Sequence, residues 1–277
     1  GIHGCLVRVS GRRPYSPFVR CSMKIKGSVI AVTGGASGLG QAAVERLVSL
    51  GAKAAIWDMN EEKGQALEKK LGASVKFFKV DVTSDESIEA AISGTMESLG
   101  DIRGLINCAG IGAPSKVLSR KGKPHKMNIF GFVIKVNLLG TFNVLRLVTR
   151  EMAKNEPKNG ERGVIINTAS VAAYEGQIGQ ASYSASKGGV VSMTLPIARE
   201  LSYHGIRCNT IAPGLFATPM LAALPEKAKA SLAKQCEFPK RLGNPEEFGF
   251  LCQHIVENQY INGTVIRIDA GIRMSKM

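Results

Sequence analysis

The chain has 277 residues, a length that allows one or two domains, and a formal net charge of +14 at pH 7. Its six cysteines include no CxxC pair and its four histidines are scattered, so the sequence predicts no metal site and no disulfide framework, and it fits a reducing compartment. It contains no run of about twenty apolar residues, and we therefore expect no membrane span.

The positive charge is concentrated in two places. Residues 1–26 carry six Lys and Arg and no acid, which is typical of a mitochondrial transit peptide, although Met23 is an equally good candidate for the first native residue. We expect residues 1–22 to be a basic extension and the protein to be mitochondrial, or otherwise cytoplasmic. The second cluster lies in 112–127, which is either a solvated loop or a site for phosphate groups of a ligand. Its cations are Lys116, Arg120, Lys121, Lys123 and Lys126.

From residue 28 onward, short apolar runs alternate with segments of helical periodicity. The apolar runs predict strands at 28–33, 54–57, 75–80, 102–107, 164–166, 206–212 and 264–269. The periodic segments predict helices ending near residue 50 and at 61–71, 84–99, 128–153, from 181, at 225–236 and at 245–257. This alternation is typical of an α/β fold with a doubly wound parallel sheet. Because no linker interrupts residues 23–277, we predict a single domain.

A glycine-rich turn, T-G-x-x-x-G-x-G over residues 33–40, directly follows the first predicted strand and opens a helix. Glycines allow a pyrophosphate to approach the backbone, and the helix N-terminus offers free N–H groups. Asp58 ends the second strand 18 residues after Gly40, where a carboxylate binds ribose hydroxyls and repels a 2′-phosphate. The pattern therefore predicts a dinucleotide site that favours NAD over NADP.

The segment 163–189 contains a second candidate site. Tyr183 and Lys187 are spaced i, i+4 and share one helix face, and Ser170 follows the preceding strand. A cation about 4 Å from a phenol is worth roughly 4 kcal/mol, or about three pKa units, which would make Tyr183 a usable acid–base group. We expect Lys187 to lower the pKa of Tyr183 in this way. Without a nucleotide site, such a pair would be an ordinary helix surface.

Taken in order, these motifs resemble the short-chain dehydrogenase/reductase family over essentially all of residues 24–277. The resemblance is carried by 33–40, 107–110, Asn137, Ser170, Tyr183-x-x-x-Lys187 and Pro213-Gly214. It implies a Rossmann-type fold and an oxidoreductase that interconverts a secondary alcohol and a ketone with NAD.

The resemblance also assigns roles to residues. Tyr183 would be the general acid/base, Ser170 would position the substrate oxygen, Lys187 would hold the nicotinamide ribose and Asn137 would support a proton-relay water. The cofactor-binding set comprises Gly34, Ser37, Gly38, Leu39, Gly40, Asp58, Asp81, Val82, Cys108, Ala109, Gly110, Tyr183, Lys187, Pro213, Phe216 and Thr218. Gln177 joins Ser170 as a candidate substrate-binding residue.

A closer likeness, carried by segments such as GTFNVLRLV and IAPGLFATPM, is to family members that act on 3-hydroxyacyl-CoA in fatty acid metabolism. It implies a mitochondrial homotetramer that uses NAD. Two alternatives stay open: a hydroxysteroid dehydrogenase, and a scaffold subunit that works with a partner protein in mitochondrial tRNA processing.

Overall fold

The computed structural model describes residues 23, 25–222 and 232–275. Its centre is a seven-stranded, wholly parallel sheet of order β3-β2-β1-β4-β5-β6-β7. The strands are β1 Val29–Thr33, β2 Lys53–Asp58, β3 Val75–Lys79, β4 Ile102–Asn107, β5 Gly163–Thr168, β6 Ile206–Pro213 and β7 Val265–Ile268. The order reverses direction between β1 and β4, so the predicted doubly wound sheet is confirmed.

Helices cover both faces of the sheet, as the alternation of strands and helices predicts. They are α1 Gly38–Ser49, α2 Glu61–Leu71, α3 Asp85–Leu99, α4 Met127–Ile134, α5 Gly140–Met152, α6 Ala181–Ser202, α7 Pro219–Ala222 and α8 Pro245–Glu257. A π-helical turn, Lys135–Leu139, joins α4 to α5.

Two hydrophobic layers separate the sheet from its helices. In β1, Ile30 and Val32 point to the layer that α1 and α8 cover, whereas Val29 and Ala31 point to the layer beneath α3, α5 and α6. Every residue of β1, β4, β5 and β6 is buried. Burial on both faces explains the apolar runs in β1 and β5, whereas β4 and β6 also bury polar side chains such as Arg103 and Arg207.

The helix predicted at 128–153 is present but is not uniformly α-helical, because the π turn inserts one wide turn at 135–139. Within the described residues, Met127–Met152 is the one helix whose length and mean hydropathy would suit a membrane span, although it contains no run of about twenty apolar residues. Val144, Val148 and Met152 on this helix are buried against the sheet, as in a core helix of a globular domain.

Two predictions fall outside the described residues. The basic extension 1–22 lies there entirely, and most of the helix predicted at 225–236 does as well. The helices predicted at 61–71 and 245–257 have the predicted bounds.

Candidate active site

The glycine turn brings the ends of β1 and β4 together. Gly34 has φ +63°, and a Cβ added to it would lie 2.8 Å from the backbone nitrogen of Ala109. A Cβ on Gly40 would lie 2.2 Å from the carbonyl oxygen of Gly34. Only glycine fits these two positions, so the turn is a tight backbone cradle at the start of α1. Ser37 is the N-cap of α1 and makes no side-chain capping bond, and the first turn contains no acid.

Asp58 lies at the end of β2 beside this cradle. Its Oδ2 accepts a hydrogen bond from the backbone N–H of Ala36 at 3.0 Å, and its Oδ1 accepts one from the N–H of Asn60 at 2.9 Å. The carboxylate is half-buried, with one oxygen turned to the glycine turn and the other to the start of α2. Asp58 is therefore held at the place that the spacing predicts.

Polar side chains connect the ends of β1, β4 and β5. Thr33 Oγ1 accepts hydrogen bonds from the backbone N–H groups of Cys108 and Ala109, both at 3.2 Å. Asn107 Nδ2 donates to Asn167 Oδ1 at 2.9 Å, and both residues are buried. No sequence motif predicts Asn167, although a polar residue at the end of an apolar strand is a signal that points to such a position.

Lys187 points from α6 into the sheet and is buried. Its Nζ donates a hydrogen bond to the backbone carbonyl of Thr168 at 2.7 Å, and it lies 5.8 Å from the centre of the Tyr183 ring. Burial lowers the pKa of Lys187 to about 8. The sequence does not predict the contact between Lys187 and the carbonyl of Thr168, because every residue has a backbone carbonyl and none is distinguished by its side chain.

The expectation that Lys187 lowers the pKa of Tyr183 is wrong for this structure. Burial raises the pKa of the Tyr183 phenol, and a hydrogen bond with Ser170 partly offsets that rise. The ammonium of Lys187 is turned toward Thr168 instead. Ser170 itself caps a short 3₁₀ turn, its Oγ accepting from the N–H of Ala172 at 3.1 Å. Tyr183 is consequently a neutral phenol at neutral pH, beside a hydroxyl and near a cation.

Asn137 lies in the π turn and is fully buried. Its Oδ1 accepts from the N–H of Ile111 at 2.8 Å, and its Nδ2 donates to the carbonyl of Ile111 at 2.9 Å and to Ser186 Oγ at 3.2 Å. A Cβ on Gly110 would lie 3.3 Å from Asn137 Oδ1 and 3.5 Å from Lys187 Nζ. Asn137 thus fixes the loop after β4 against α6, next to Lys187.

Three other predicted cofactor residues differ in their distance from the glycine turn and in the burial of their side chains. Thr218 lies over the cradle, its side chain 3.6 Å from a Cβ placed on Gly38. Val82, next to Asp81 at the end of β3, is buried against Gly140. The Phe216 side chain is also buried in the core, so only its backbone can face a cofactor.

Two predicted residues have local partners of their own. Asp81 Oδ1 accepts from the N–H and the hydroxyl of Thr83, both at 2.8 Å. Cys108 Sγ lies 3.4 Å from Thr168 Oγ1, and burial raises the pKa of this thiol to about 11, so it is not a thiolate at neutral pH. In the described residues no group of His, Cys, Asp and Glu could hold a metal ion.

Comparison with known proteins assigns this chain to a protein family. The model of the short chain dehydrogenase family matches residues 28–229, which include every element of the site described above. The chain belongs to the short-chain dehydrogenase family. Its Rossmann-type fold and its membership of a family of oxidoreductases agree with the expectations from the motifs.

Relatives within the short-chain dehydrogenases cover nearly the whole chain. The chain is 55% identical over 252 residues to 3-hydroxyacyl-CoA dehydrogenase type-2 of Bos taurus and 54% identical to that of Homo sapiens, covering 90% of this chain and 97% of each relative. The crystal structure of 3-hydroxyacyl-CoA dehydrogenase type-2 from Mycobacterium avium superposes with a TM-score of 0.87 at 44% identity, covering 90% of this chain and 97% of that one.

Proposed function

We propose that this protein interconverts 3-hydroxyacyl-CoA and 3-ketoacyl-CoA with NAD. The observation that carries the proposal is the position of Tyr183, Ser170 and Lys187 at the carboxyl edge of the sheet, beside a glycine cradle at a helix N-terminus. The relatives above, which match this chain over 252 residues, are named for this activity. Hydroxysteroid oxidation uses the same chemistry and is the alternative that the substrate panel below separates.

The residues present fit a nicotinamide dinucleotide. Gly34 and Gly40 let the turn pack tightly on the backbone of Ala109 and of Gly34 itself, and the uncapped N-terminus of α1 that follows presents N–H groups and a positive dipole to a pyrophosphate. We propose NAD rather than NADP, because the Asp58 carboxylate at the end of β2 would bind ribose hydroxyls and repel a 2′-phosphate.

When bound, the nicotinamide supplies or accepts the hydride. In ketone reduction, the neutral phenol of Tyr183 donates its proton to the substrate oxygen, and in alcohol oxidation the phenolate takes the hydroxyl proton. Ser170 Oγ donates a hydrogen bond to the same oxygen and orients it. Lys187, held by the carbonyl of Thr168, would bind the ribose of the nicotinamide. The raised pKa of Tyr183 keeps the proton in place for the acid step at neutral pH.

The acyl-CoA part of the proposal rests on the basic hairpin, residues 115–126. A bridge between Leu118 and Pro124 and the hydrogen bond from His125 N to the carbonyl of Val117 (2.9 Å) define its shape. All five of its cations are exposed, and within the described residues none forms an ion pair with an acid. The Ser115 N–H donates to the Gly179 carbonyl at 2.8 Å, which places the hairpin beside the loop that precedes Tyr183. Unpaired cations there suit the phosphates of coenzyme A.

The test is the loss of NADH absorbance with acetoacetyl-CoA, run in parallel with NADPH, with acetoacetyl-pantetheine, which lacks the adenosine phosphates, and with a ketosteroid. We expect turnover with NADH, little with NADPH, and a higher KM for the pantetheine thioester. An equal KM for both thioesters would remove the hairpin from the proposal. Turnover only with the ketosteroid would replace the substrate class.

The matched variants are Tyr183→Phe and Tyr203→Phe, both on or next to α6, the second with a highly exposed ring. Tyr183→Phe is expected to lower kcat by at least about 10²-fold, since it removes the general acid. NADH affinity should stay near the wild-type value, and Tyr203→Phe should behave as wild type. Near-normal turnover of Tyr183→Phe would refute the role of this residue.

A further inference from the structure

Arg267, at the carboxyl end of β7, bonds to two separate parts of the chain. Its Nη1 and Nη2 donate to both carboxylate oxygens of Glu175, at 2.8 and 2.9 Å. Its Nε donates to Asp269 at 2.7 Å, and Nη2 also donates to the carbonyl of Ile272 at 3.1 Å. The guanidinium lies 5.2 Å from the centre of the Tyr174 ring. All of these groups except the exposed Tyr174 ring are at least half-buried, which favours a fixed geometry over a solvated surface pair.

The first part is the mouth loop, residues 174–180, which runs between Ser170 and Tyr183. Besides the Glu175 contact, its Gly179 carbonyl accepts from Ser115 in the basic hairpin. Ser170 caps a 3₁₀ turn and Tyr183 lies in α6, so a movement of the loop between them shifts the candidate substrate residue Gln177 more than the two catalytic side chains. The mouth loop is therefore the element through which distant groups can act on the substrate site.

The second part is the C-terminal strap, residues 269–275. Ile272 is fully buried and packs with Val171 and Cys236. At the far end of the strap, the Ser275 carbonyl accepts from Gln177 Nε2 at 3.1 Å. The strap thus contacts the mouth loop in three ways: through Arg267, which joins Glu175 to Asp269, through Arg273, whose Nε lies 3.4 Å from Glu175 Oε1, and directly at Gln177.

We propose that Arg267 is a positioning residue for substrate binding, which holds the mouth loop between the C-terminal strap and the basic hairpin. It touches neither Tyr183 nor the glycine cradle, so it acts through Glu175 and the loop. The inference rests on the proposed function for the identity of the substrate. The contacts of Arg267 with Glu175 and with the C-terminal strap do not depend on it. It gives Gln177, predicted as a substrate residue, a partner that fixes its side chain.

The kinetic test is Arg267→Lys, which retains the charge but cannot form the two-pronged contact with Glu175. We expect KM for acetoacetyl-CoA to rise about tenfold, the size expected for losing a charged hydrogen bond. The Kd of NADH should be unchanged and kcat should stay within about twofold, since the loop contributes to binding rather than to the proton transfer. Arg267→Lys combined with Glu175→Gln should raise KM no further than either change alone.

The matched control is Arg150→Lys. Arg150 forms an equivalent two-pronged pair with Glu89, at 2.8 and 2.7 Å, on the exposed surface of α5 and α3. This variant should keep the wild-type KM. If it raises KM as much as Arg267→Lys does, the effect is a general loss of stability and the inference fails.

Amide hydrogen exchange separates this inference from the proposed function. Arg267→Lys should speed exchange in peptides covering 174–180, 270–275 and Ser115, and leave peptides from β1 and α1 unchanged. That result supports the link even if the wild type turns over no acyl-CoA, an outcome that would count against the proposed function alone. Wild-type exchange in all three peptides, or faster exchange with an unchanged KM for a substrate that is turned over, would overturn the inference.

Discussion

Lys187 shows how one side chain can be positioned by a contact that the sequence does not reveal. Its stem passes through the core, and its ammonium is bound to the carbonyl at the end of β5. That contact holds the charge near Tyr183, Gly110 and Asn137, although burial opposes the charge. The free-energy cost of burying this charge can be measured from the pH dependence of stability.

The pH dependence of stability follows from the pKa of Lys187. Its pKa is about 8 in the folded protein against 10.5 in its ordinary state. Because the unfolded chain binds the proton more tightly, burial of the charge destabilises the fold below pH 8, and this penalty disappears as the pH rises from 8 to 10.5. The free energy of unfolding of wild type relative to Lys187→Met should therefore rise by about 3 kcal/mol over that range.

Urea titrations of both proteins at a series of pH values measure this difference. The exposed Lys135, changed to Met, provides the control and should give a constant difference. Parallel curves for wild type and Lys187→Met would show that the pKa of Lys187 is not lowered.

Asp58 determines the proposed preference for NAD. Asp58→Asn retains an acceptor for the Ala36 N–H and removes the negative charge, so the ratio of kcat/KM for NADH over NADPH should fall about tenfold or more. Asp101→Asn makes the same change of net charge at an exposed turn and should leave the ratio unaltered. An unchanged ratio in Asp58→Asn would mean that another group selects the cofactor.

At the scale of elements, the π turn Lys135–Leu139 is the least expected feature. It turns Asn137 inward to pair with both backbone groups of Ile111. Asn137→Ala would leave these partly buried backbone groups without their partner, and we expect a loss of about 1–3 kcal/mol in the free energy of unfolding. Lys135→Ala, in the same turn but exposed, should cost less than about 0.5 kcal/mol. Equal losses in the two variants would show that Asn137 has no special structural role.

The sequence predicts strands and helices well here because each central strand contains a short run of apolar residues and each surrounding helix has one apolar face. Helices 61–71 and 245–257 also carry their own capping residues, Asn60 and Asn244, so their ends are local properties. The π turn has no such signature, since its side chains also fit an α-helix. The prediction that Lys187 lowers the pKa of Tyr183 is wrong because spacing along a helix does not reveal that a backbone carbonyl competes for the cation.

At the scale of the whole molecule, the outer side of the helix Met127–Met152 presents large apolar side chains to solvent. Phe132 is 57% exposed, Leu139 56% and Phe142 46%. Exposed apolar patches of this kind are typical of interfaces. We propose that this side is buried between copies of the chain in a homotetramer.

Phe132→Glu tests the assembly. A charge buried in an interface without a partner is costly, so sedimentation should show a smaller species than the wild type at equal concentration. Met59→Glu changes an equally exposed apolar residue next to α2 and should keep the wild-type mass. A wild-type mass for Phe132→Glu would place the interface elsewhere.

The C-terminal strap also sets the order in which the protein becomes competent during synthesis. The glycine cradle and Asp58 lie in the first part of the chain to leave the ribosome, whereas Arg267 and residues 269–275 are among the last of the described residues. A nascent chain that has completed β1 to β6 therefore already contains the dinucleotide half of the site, but its mouth loop still lacks the contacts of Glu175 and Gln177. A chain truncated after Ile268, which keeps all seven strands and α8 packed on α1, should retain dinucleotide affinity while discriminating poorly among thioesters, so we expect substrate selectivity to be the last property this polypeptide acquires.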